Sequence, residues 1–440
     1  MERFQMLKTF RFGGIHPDPS KEYSKGKPIE RLPLPKKLLI PMSMSTGAPA
    51  KILVDVGGSV AKGQLIGEKS GFISANVHSP ADGTVKAIRN ITLPAGNVCP
   101  ALEIETSDEQ TDPFSEKCDD TFVQGLSRED LVTIIEKSGI VGMGGAAFPA
   151  NVKYNIKEGV KVEYLLINAC ECEPFLTCDC RLLIERREEA ISGIRILKRL
   201  FGNPDTRLCT ETNKRSEAES LITGVKDGSF ALEVLKTKYP QGDEKSIINA
   251  VTGREVPSGK LPLDVGCVVV NLGTAIAVHE AVCYGKPLYE RVVAVTGNGI
   301  REPKNLLCPV GASVRDVLDY CGGLTDKADR IISGGPMMGF SFYDLDTPIA
   351  KATSGILVME KIAPKKEYPC ISCGRCAAAC PMRLVPTRMY KFIMNERVSD
   401  AIGINLLDCR ECGCCEYSCP SGIPLVQGFK MGKKIWRMKK

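Results

Sequence analysis

The chain has 440 residues, of which 43% are hydrophobic and 25% are charged, and its formal net charge is +6 at pH 7. Both fractions are ordinary for a globular protein, and the length allows about three or four domains with cores of their own. The small net charge argues against a nucleic-acid-binding protein.

Cysteine content and hydropathy predict a reducing compartment and no transmembrane segment. Residues 1–12 lack the apolar segment of a secretory signal peptide, and many of the twenty cysteines fall in runs that need reduced thiolates. The most apolar stretch, residues 265–283, contains Asn271, His279 and Glu280, which a lipid-facing helix would not accommodate.

Residues 1–37 are rich in Pro, Gly and Lys and predict an irregular arm. Residues 38–115 predict short strands and hairpins, with turns at Gly57-Gly58 and Asp82-Gly83. The sequence around the second turn, His-Ser-Pro-Ala-Asp-Gly-Thr-Val, resembles the second half of a biotinyl/lipoyl-type sandwich barrel. Where carrier domains of that type have their modified lysine, this chain has Phe72. We therefore predict a barrel without a carrier lysine, serving as a structural or docking module.

Residues 120–286 predict an α/β domain with a largely parallel sheet. Ser127, with an acid three residues later, is typical of a helix start. Beyond it, predicted strands at 162–168 and 266–271 alternate with helical stretches such as 181–200. Residues 287–345 mix strands with one short helix and predict a small α+β unit.

Two cysteine runs near the C-terminus share the spacing Cys-x2-Cys-x2-Cys-x3-Cys-Pro. Two-cluster ferredoxins use this spacing to bind a pair of 4Fe-4S clusters, with the fourth cysteine of each run reaching the other cluster. Structural zinc sites usually draw two separate Cys-x2-Cys pairs instead, so the pattern favours iron–sulfur. We predict that one cluster binds to Cys370, Cys373, Cys376 and Cys419, and the other to Cys409, Cys412, Cys415 and Cys380.

The segment between the two runs predicts a helical ferredoxin domain over residues 364–428. Met389, Phe392 and Ile393 recur there at helical spacing. Residues 429–440 form a basic tail, which is either a frayed solvated end or a surface for an anionic partner.

The sequence Gly142-Met143-Gly144-Gly145-Ala146-Ala147-Phe148-Pro149 predicts a phosphate-binding loop. Small residues let backbone N–H groups approach a phosphate without obstruction by side chains. A polar, acidic turn follows the predicted strand at 162–168, which is where open α/β sheets bind ligands. Together these features predict a nucleotide or flavin site.

In their order, the glycine loop, Asn-Ala-x-Glu-x-Glu-Pro and Gly-Asp-Glu resemble the flavin- and NADH-binding subunit of respiratory complex I. The resemblance implies a Rossmann-like domain that holds FMN and NADH. It assigns FMN binding to Gly142, Gly144, Gly145, Asn168, Glu171 and Asn271. It places Glu173, Lys153, Phe148 and Glu244 beside the nicotinamide nucleotide, the first three as candidate catalytic residues.

The whole chain resembles the RnfC components of the Rnf ion-translocating ferredoxin:NAD oxidoreductases. The resemblance rests on Gly13-Gly14-Ile15-His16-Pro17, residues 47–49, the barrel, the FMN-like domain, residues 334–339 and the doubled cysteine run. It implies that residues 287–345 form an SLBB β-grasp unit. One departure is Met44-Ser45-Thr46, where the family has Gln-His-Ile.

The family implies a relay in which FMN converts two-electron chemistry of NADH into single-electron steps through two 4Fe-4S clusters. It also implies a peripheral subunit on the cytoplasmic side of the cell membrane. Its partners would be the membrane subunits and the ferredoxin-like B subunit, with ferredoxin reached through the complex and Na+ or H+ moved by it.

Two alternatives remain open from the sequence. One is the flavin/iron–sulfur cobalamin reductase of propanediol-utilising microcompartments, which shares these modules. The other is a non-catalytic electron carrier whose FMN-like domain has lost its cofactor.

Overall fold

The computed structural model describes residues 7–363 and 366–439. Residues 1–6 of the predicted arm, 364–365 at the start of the predicted ferredoxin domain and Lys440 of the basic tail lie outside the described residues. Among the described residues, no helix has the length and apolar character that a membrane crossing requires.

The N-terminal arm is more ordered than we expected and connects distant units. It contains strand β1 (Ile29–Arg31), which joins a sheet formed near the middle of the chain. Ile15 and Tyr239 exchange two backbone hydrogen bonds of 2.9 Å, and Gly14 N donates to Ala379 O at 2.9 Å. The arm therefore lies between the α/β domain and the cysteine-rich domain.

The barrel consists of two facing antiparallel sheets. Its core includes the fully buried side chains of Leu38, Ile40, Ile66 and Ile104. One sheet has the order β2-β8-β7-β4 and the other β3-β5-β6. The strands are β2 (Lys37–Pro41), β3 (Lys51–Ile52), β4 (Ser59–Val60), β5 (Leu65–Glu68), β6 (Val77–His78), β7 (Gly83–Thr92) and β8 (Val98–Thr106).

The α/β domain contains a four-stranded parallel sheet of order β11-β10-β9-β12. Its elements are α1 (Asp120–Gly125), α2 (Arg128–Lys137), α3 (Ala150–Tyr154), β9 (Tyr164–Asn168), α4 (Cys178–Glu185), α5 (Arg187–Leu200), β10 (Asp205–Glu211), α6 (Arg215–Ile222), β11 (Ala231–Leu235), α7 (Glu244–Thr252), β12 (Cys267–Asn271) and α8 (Leu272–Tyr284). Short 3-10 turns lie at Thr212–Lys214 and Pro262–Val265.

Helices cover both faces of this sheet, which explains the continuous apolar strands. Leu165, Leu166 and Ile167 of β9 are all fully buried, as expected for a parallel strand with both faces covered. The predicted capping box at Ser127 is present. The predicted helix over 181–200 is instead two helices, α4 and α5, separated at Arg186.

The next unit is a six-stranded mixed sheet of order β1-β14-β13-β17-β15-β16 with one helix. The elements are β13 (Glu290–Thr296), β14 (Lys304–Pro309), α9 (Val314–Tyr320), β15 (Ala328–Ser333), β16 (Phe340–Phe342) and β17 (Gly355–Glu360). The sheet thus takes strands from outside the expected range 287–345, one from the arm and one after residue 345.

The C-terminal unit is helical, as predicted. Its elements are α10 (Arg375–Ala378), α11 (Pro386–Met394), α12 (Val398–Gly403), a 3-10 turn at Leu406–Asp408, α13 (Cys414–Tyr417) and α14 (Leu425–Met438). The prediction of a separate frayed tail is wrong, because the expected tail is the continuation of α14. Phe429 is fully buried, and Gly428 and Gly432 lie directly against Tyr390 and Ile393 of α11.

Candidate functional site

The glycine loop is closed at its base and open at its tip. Gly142 N donates to Phe148 O at 2.9 Å, and Met143 N donates to Thr274 Oγ1 at 2.9 Å. Gly144, Gly145 and Ala146 at the tip are exposed to solvent, and Gly145 has φ of +104°. The loop therefore offers backbone groups at its tip that side chains do not cover.

Asn168 and Asn271 end two neighbouring parallel strands and are paired in register. Asn168 Nδ2 donates to Gly242 O at 2.8 Å, and its Oδ1 accepts from Cys170 N at 3.0 Å. Asn271 Oδ1 caps α8 by accepting from Gly273 N, and Gly144 lies directly against the Asn271 side chain. The two residues therefore join the glycine loop to the turns at the carboxyl edge of the sheet.

Glu171 and Glu173 lie in the turn after β9. Glu171 has φ of +43°, and its Oε1 accepts from Asp179 N at 2.8 Å. Glu173 Oε2 accepts from Met337 N at 3.1 Å, and a Cβ at Gly335 would lie 2.3 Å from the same oxygen. Burial raises the pKa of Glu173 to about 7, so this carboxyl gains or loses its proton near neutral pH.

Lys21 of the arm binds the backbone of this turn. Its Nζ donates to the carbonyl oxygens of Glu171 at 2.7 Å, Glu173 at 3.0 Å and Leu176. Burial lowers its pKa. Nothing in the sequence pattern indicated Lys21, because it reaches the turn from 150 residues away.

Lys153 and Glu244 are both partly exposed and form an ion pair of 2.5 Å. Lys153 Nζ also donates to Val269 O at 2.7 Å. Phe148, half-buried, precedes Lys153 on the same loop and helix. The structure thus brings Lys153 and Glu244 together. The Glu173 side chain instead accepts its hydrogen bond from the loop at Met337.

Three buried polar atoms beside this turn have no hydrogen-bond partner within the part of the chain that the structure describes: Glu173 Oε1, the Tyr239 hydroxyl and Gln241 Nε2. Glu171 Oε2 also lacks a hydrogen bond, but the Lys21 ammonium group lies 3.8 Å from it. These atoms come from two turns that the hydrogen bond from Asn168 to Gly242 joins. Buried polar atoms normally have partners, and leaving them unpaired costs about 1–3 kcal/mol each. A flavin ring presents both donors and acceptors, so the polar lining fits FMN.

The two cysteine runs repeat one backbone structure. Ser372 N and Glu411 N each donate to the cysteine sulfur two residues earlier at 3.4 Å. Both of these residues have positive φ, as do Gly374 and Gly413, which begin α10 and α13. The repeated spacing therefore folds twice into the same thiol-presenting turn.

Four of these eight cysteines line one cavity, and they come from both runs. We call them the inner set: Cys380, Cys409, Cys412 and Cys415. The spacing assigns these four cysteines to one cluster, and their role as ligands stays a prediction. Four thiols around one cavity, drawn from two runs with ferredoxin spacing, fit a 4Fe-4S cubane.

The other four cysteines of the two runs form the outer set: Cys370, Cys373, Cys376 and Cys419. Cys376 and Cys419 are buried in the same hydrophobic cluster of the C-terminal unit, and burial raises the pKa of Cys376. Cys373 is exposed, and its neighbour Ile371 is 68% exposed. The outer set thus lies nearer to the surface than the inner set.

The inner set lies against the α/β domain. Arg410 Nε donates to Asp243 Oδ2 at 2.8 Å, and Asp243 directly precedes Glu244. Gly413 lies against Met337, the residue whose N–H binds Glu173. These contacts were not predictable from the sequence, since each joins segments far apart in the chain.

Models of four protein families match successive parts of the chain. They are the RnfC barrel sandwich hybrid domain over residues 8–109, the Nuo51 FMN-binding domain over 135–280, the SLBB domain over 292–341 and the 4Fe-4S dicluster domain over 369–423. These matches confirm the predicted fold class and the FMN and 4Fe-4S cofactors. The assignments of single residues stay predictions.

A solved structure and two curated relatives resemble the chain. The NAD+-reducing [NiFe]-hydrogenase in its H2-reduced state aligns with TM-score 0.51 at 17% identity, over 70% of this chain and 62% of that one, and shows the fold alone. The RnfC-type component of the proton-translocating ferredoxin:NAD(+) oxidoreductase complex of Clostridium ljungdahlii is 43% identical over 87% of this chain and 84% of its own length. The Na(+)-translocating counterpart of Acetobacterium woodii is 38% identical over 87% of each chain. The chain belongs to the RnfC family, whose members are components of ion-translocating ferredoxin:NAD+ oxidoreductase complexes.

Proposed function

We propose that this chain passes electrons between NADH, FMN and two 4Fe-4S clusters as the RnfC component of a ferredoxin:NAD+ oxidoreductase. The observation that carries the proposal is the contact between the inner cysteine set and the polar turns that we assign to FMN, which we call the pocket. Asp243 pairs with Arg410 at 2.8 Å there, and Met337 contacts both Glu173 and Gly413. A bound flavin exchanges hydride with nicotinamide and single electrons with clusters.

The residues of the pocket divide into two groups. Gly142, Gly144 and Gly145 present backbone groups, and Asn168, Glu171 and Asn271 fix the turns around them, which suits binding of FMN. Phe148, Lys153 and Glu244 are partly exposed, which suits an entering nicotinamide nucleotide. The ion pair of Lys153 with Glu244 provides an ammonium group and a carboxylate that can bind polar groups of that nucleotide.

Glu173 is suited to hold a proton next to the reacting groups. Its Oε1 has no hydrogen-bond partner among the described residues, and burial raises its pKa to about 7. A carboxyl whose pKa lies near the working pH donates and accepts protons efficiently. Lys21 fixes the backbone that positions this carboxyl.

The two cysteine sets differ in their distance from the pocket. The inner set contacts the α/β domain through Arg410 and the loop at Met337 through Gly413, whereas the outer set includes the exposed Cys373. We infer that electrons move between the pocket and the inner set, then between the inner and the outer set. The outer set would exchange them with a partner protein of the complex.

The wider assembly follows from the family. We propose that the chain attaches to the cytoplasmic side of the cell membrane through the membrane subunits and the ferredoxin-like B subunit, with ferredoxin reached through them. The complex would couple electron transfer to movement of Na+ or H+; the two relatives are named for different ions. The cobalamin reductase alternative is not favoured, because relatives that cover most of the chain carry the ferredoxin:NAD(+) oxidoreductase name.

Anaerobic titration with NADH tests the proposal. Protein with intact clusters is prepared with and without FMN, and its visible spectrum is recorded after each addition. We expect cluster absorbance to fall only in the FMN-loaded protein. Clusters that NADH reduces at the full rate without FMN would overturn the relay. Intact clusters that ignore NADH despite bound FMN would favour the electron-carrier alternative.

A further inference from the structure

The turns of the inner and the outer set belong to one repeat, which extends into the helices that follow them. The interval from Cys370 to Cys409 is also the interval from Pro386 to Leu425, the first residues of α11 and α14. Both turns contain the same hydrogen bond from a backbone N–H to a cysteine sulfur. A comparison of equivalent positions therefore shows which side chains distinguish the two cluster sites.

Two of the equivalent positions differ in charge. Where the inner set has Glu411 and Lys433, the outer set has Ser372 and Met394. Met394 is 44% exposed at the end of α11, whereas Lys433 is buried on α14. The inner set thus has an ion pair at positions where the outer set has two uncharged side chains.

Lys433 binds both ends of the inner turn. Its Nζ donates to Cys409 O at 2.6 Å and to Glu411 Oε1 at 2.7 Å. The backbone N–H of Glu411 donates to Cys409 Sγ at 3.4 Å. Cys409 and Glu411 both line the cavity of the inner set. One ammonium group therefore binds the residue that supplies a thiol and the residue whose N–H binds that thiol.

The packing of α14 fixes the position of this ammonium group. Gly432 precedes Lys433, and a Cβ at Gly432 would lie 2.7 Å from Ile393 Cδ1 of α11. Phe429, one turn earlier on α14, is fully buried. The Lys433 side chain is 10% exposed and the Glu411 side chain 27% exposed, so water screens the ammonium group less than the carboxylate. The positive charge beside the inner turn is therefore held in place and only weakly screened.

We propose that Lys433 is a positioning residue that, together with Glu411, sets the reduction potential of the cluster bound by the inner set, the inner cluster. The inference rests on the proposed function, in its assignment of a 4Fe-4S cluster to this set. Reduction adds one electron, and thus one negative charge, to such a cluster, and no bond forms or breaks. A nearby ammonium group stabilises the added charge and raises the potential, whereas a nearby carboxylate lowers it.

Redox titration with chemical mediators, followed by electron paramagnetic resonance, tests the inference without NADH or FMN. The signal of the inner cluster is assigned by its loss in Cys412→Ala. Lys433→Met gives the inner set the side chain of the outer set, and we expect it to lower the potential of the inner cluster alone. Glu411→Gln should raise that potential, and the double variant should return it close to the wild-type value. Lys433→Arg keeps the positive charge and should keep the potential.

Lys434→Met is the matched control, because it makes the same substitution at the next, exposed position of α14 and should change neither potential. Shifts of the same sign in Lys433→Met and Glu411→Gln would overturn the inference, because loss of a purely structural ion pair has no reason to reverse its sign. No shift in either variant, or an equal shift of the outer cluster, would also overturn it.

A Lys433→Met protein that fails to hold the inner cluster leaves Glu411→Gln as the deciding variant. A raised potential there supports the inference, and an unchanged or lowered potential overturns it. Wild-type protein without a cluster on the inner set would overturn both the inference and the proposed relay. Wild-type protein with both clusters that does not react with NADH would overturn the relay alone, because the potentials are measured without NADH.

Discussion

Glu173 combines three properties at one carboxyl group: burial, an Oε1 without a described hydrogen-bond partner and a pKa near neutrality. The carboxyl is neutral below about pH 7 and charged above it. Reduction of a flavin by NADH takes up a proton, which the neutral carboxyl can supply and the carboxylate cannot. The titration of this residue should therefore be visible in the kinetics.

We predict that the rate of NADH-driven cluster reduction falls as the pH rises through about 7 in the wild-type protein. Glu173→Gln should be slower, by about a hundredfold, and should lose this pH dependence because the amide does not titrate. Stopped-flow rates across the pH range measure both effects. Glu129→Gln, at an exposed position in α2, is the control. A Glu173→Gln variant with the wild-type pH profile would contradict the role.

Lys153 is the second residue whose role can be tested singly. Lys153→Ala removes the ion pair with Glu244 and the charge that we assign to nucleotide binding. We expect KM for NADH to rise about tenfold to a hundredfold, as for loss of a charged hydrogen bond. Chemical reduction of the clusters should be unaffected. Lys117→Ala, which breaks an exposed ion pair with Asp120, should change neither quantity, and an equal effect of both variants would refute the assignment.

At the scale of elements, the arm is the least expected part of the structure. Its composition predicted irregular chain, yet it supplies Lys21 to the pocket and contacts the cysteine-rich domain at Ala379. Gly13 makes the closest approach: its φ is +63°, and a Cβ there would lie 2.4 Å from the carbonyl carbon of Cys380. A side chain at this position would push the arm away.

We therefore predict that Gly13→Ala destabilises the protein by about 1–3 kcal/mol, which is the range for a strained backbone position. A lower Tm and earlier loss of iron on heating would report the change. Gly26→Ala in the same arm is the matched control, because no described atom lies within 4 Å of the added carbon. Equal Tm values for the two variants would show that the contact at Cys380 carries no stability.

The crossed cysteine assignment is a second test at this scale. Cys380 belongs to the first run, but it lines the cavity with the cysteines of the second. We expect Cys380→Ala to damage the same cluster as Cys412→Ala and to leave the other intact. Iron content and electron paramagnetic resonance of the reduced variants give the comparison. Different clusters lost in the two variants would contradict the crossing.

Short-range patterns in the sequence predicted several secondary-structure elements, but they could not predict contacts between distant segments of the chain. The spacing of the cysteines and the cap at Ser127 are local, so they could be recognised from neighbouring residues alone. The break at Arg186 and the packed helix α14 depend on what lies against them. The same holds for Lys21 of the arm and Thr46 of the barrel, which join the site from other units.

For the whole molecule, the account depends on the order of its parts. The α/β domain, the loop at Met337 and the inner cysteine set are in contact, and the outer set lies beyond them with Cys373 exposed. Under the proposed function, we expect the inner cluster to be the required connection between NADH and the outer cluster. We expect electrons to leave from the surface that holds Ile371, which is exposed.

The most direct measurement uses a protein that lacks only the inner cluster, made by Cys409→Ala, Cys412→Ala and Cys415→Ala together. FMN-loaded protein is mixed anaerobically with NADH, and the outer cluster is followed by electron paramagnetic resonance. Dithionite, which reduces the outer cluster directly, shows in the same samples that this cluster is intact. The account predicts reduction by dithionite but not by NADH. Reduction of the outer cluster by NADH at the wild-type rate would contradict it.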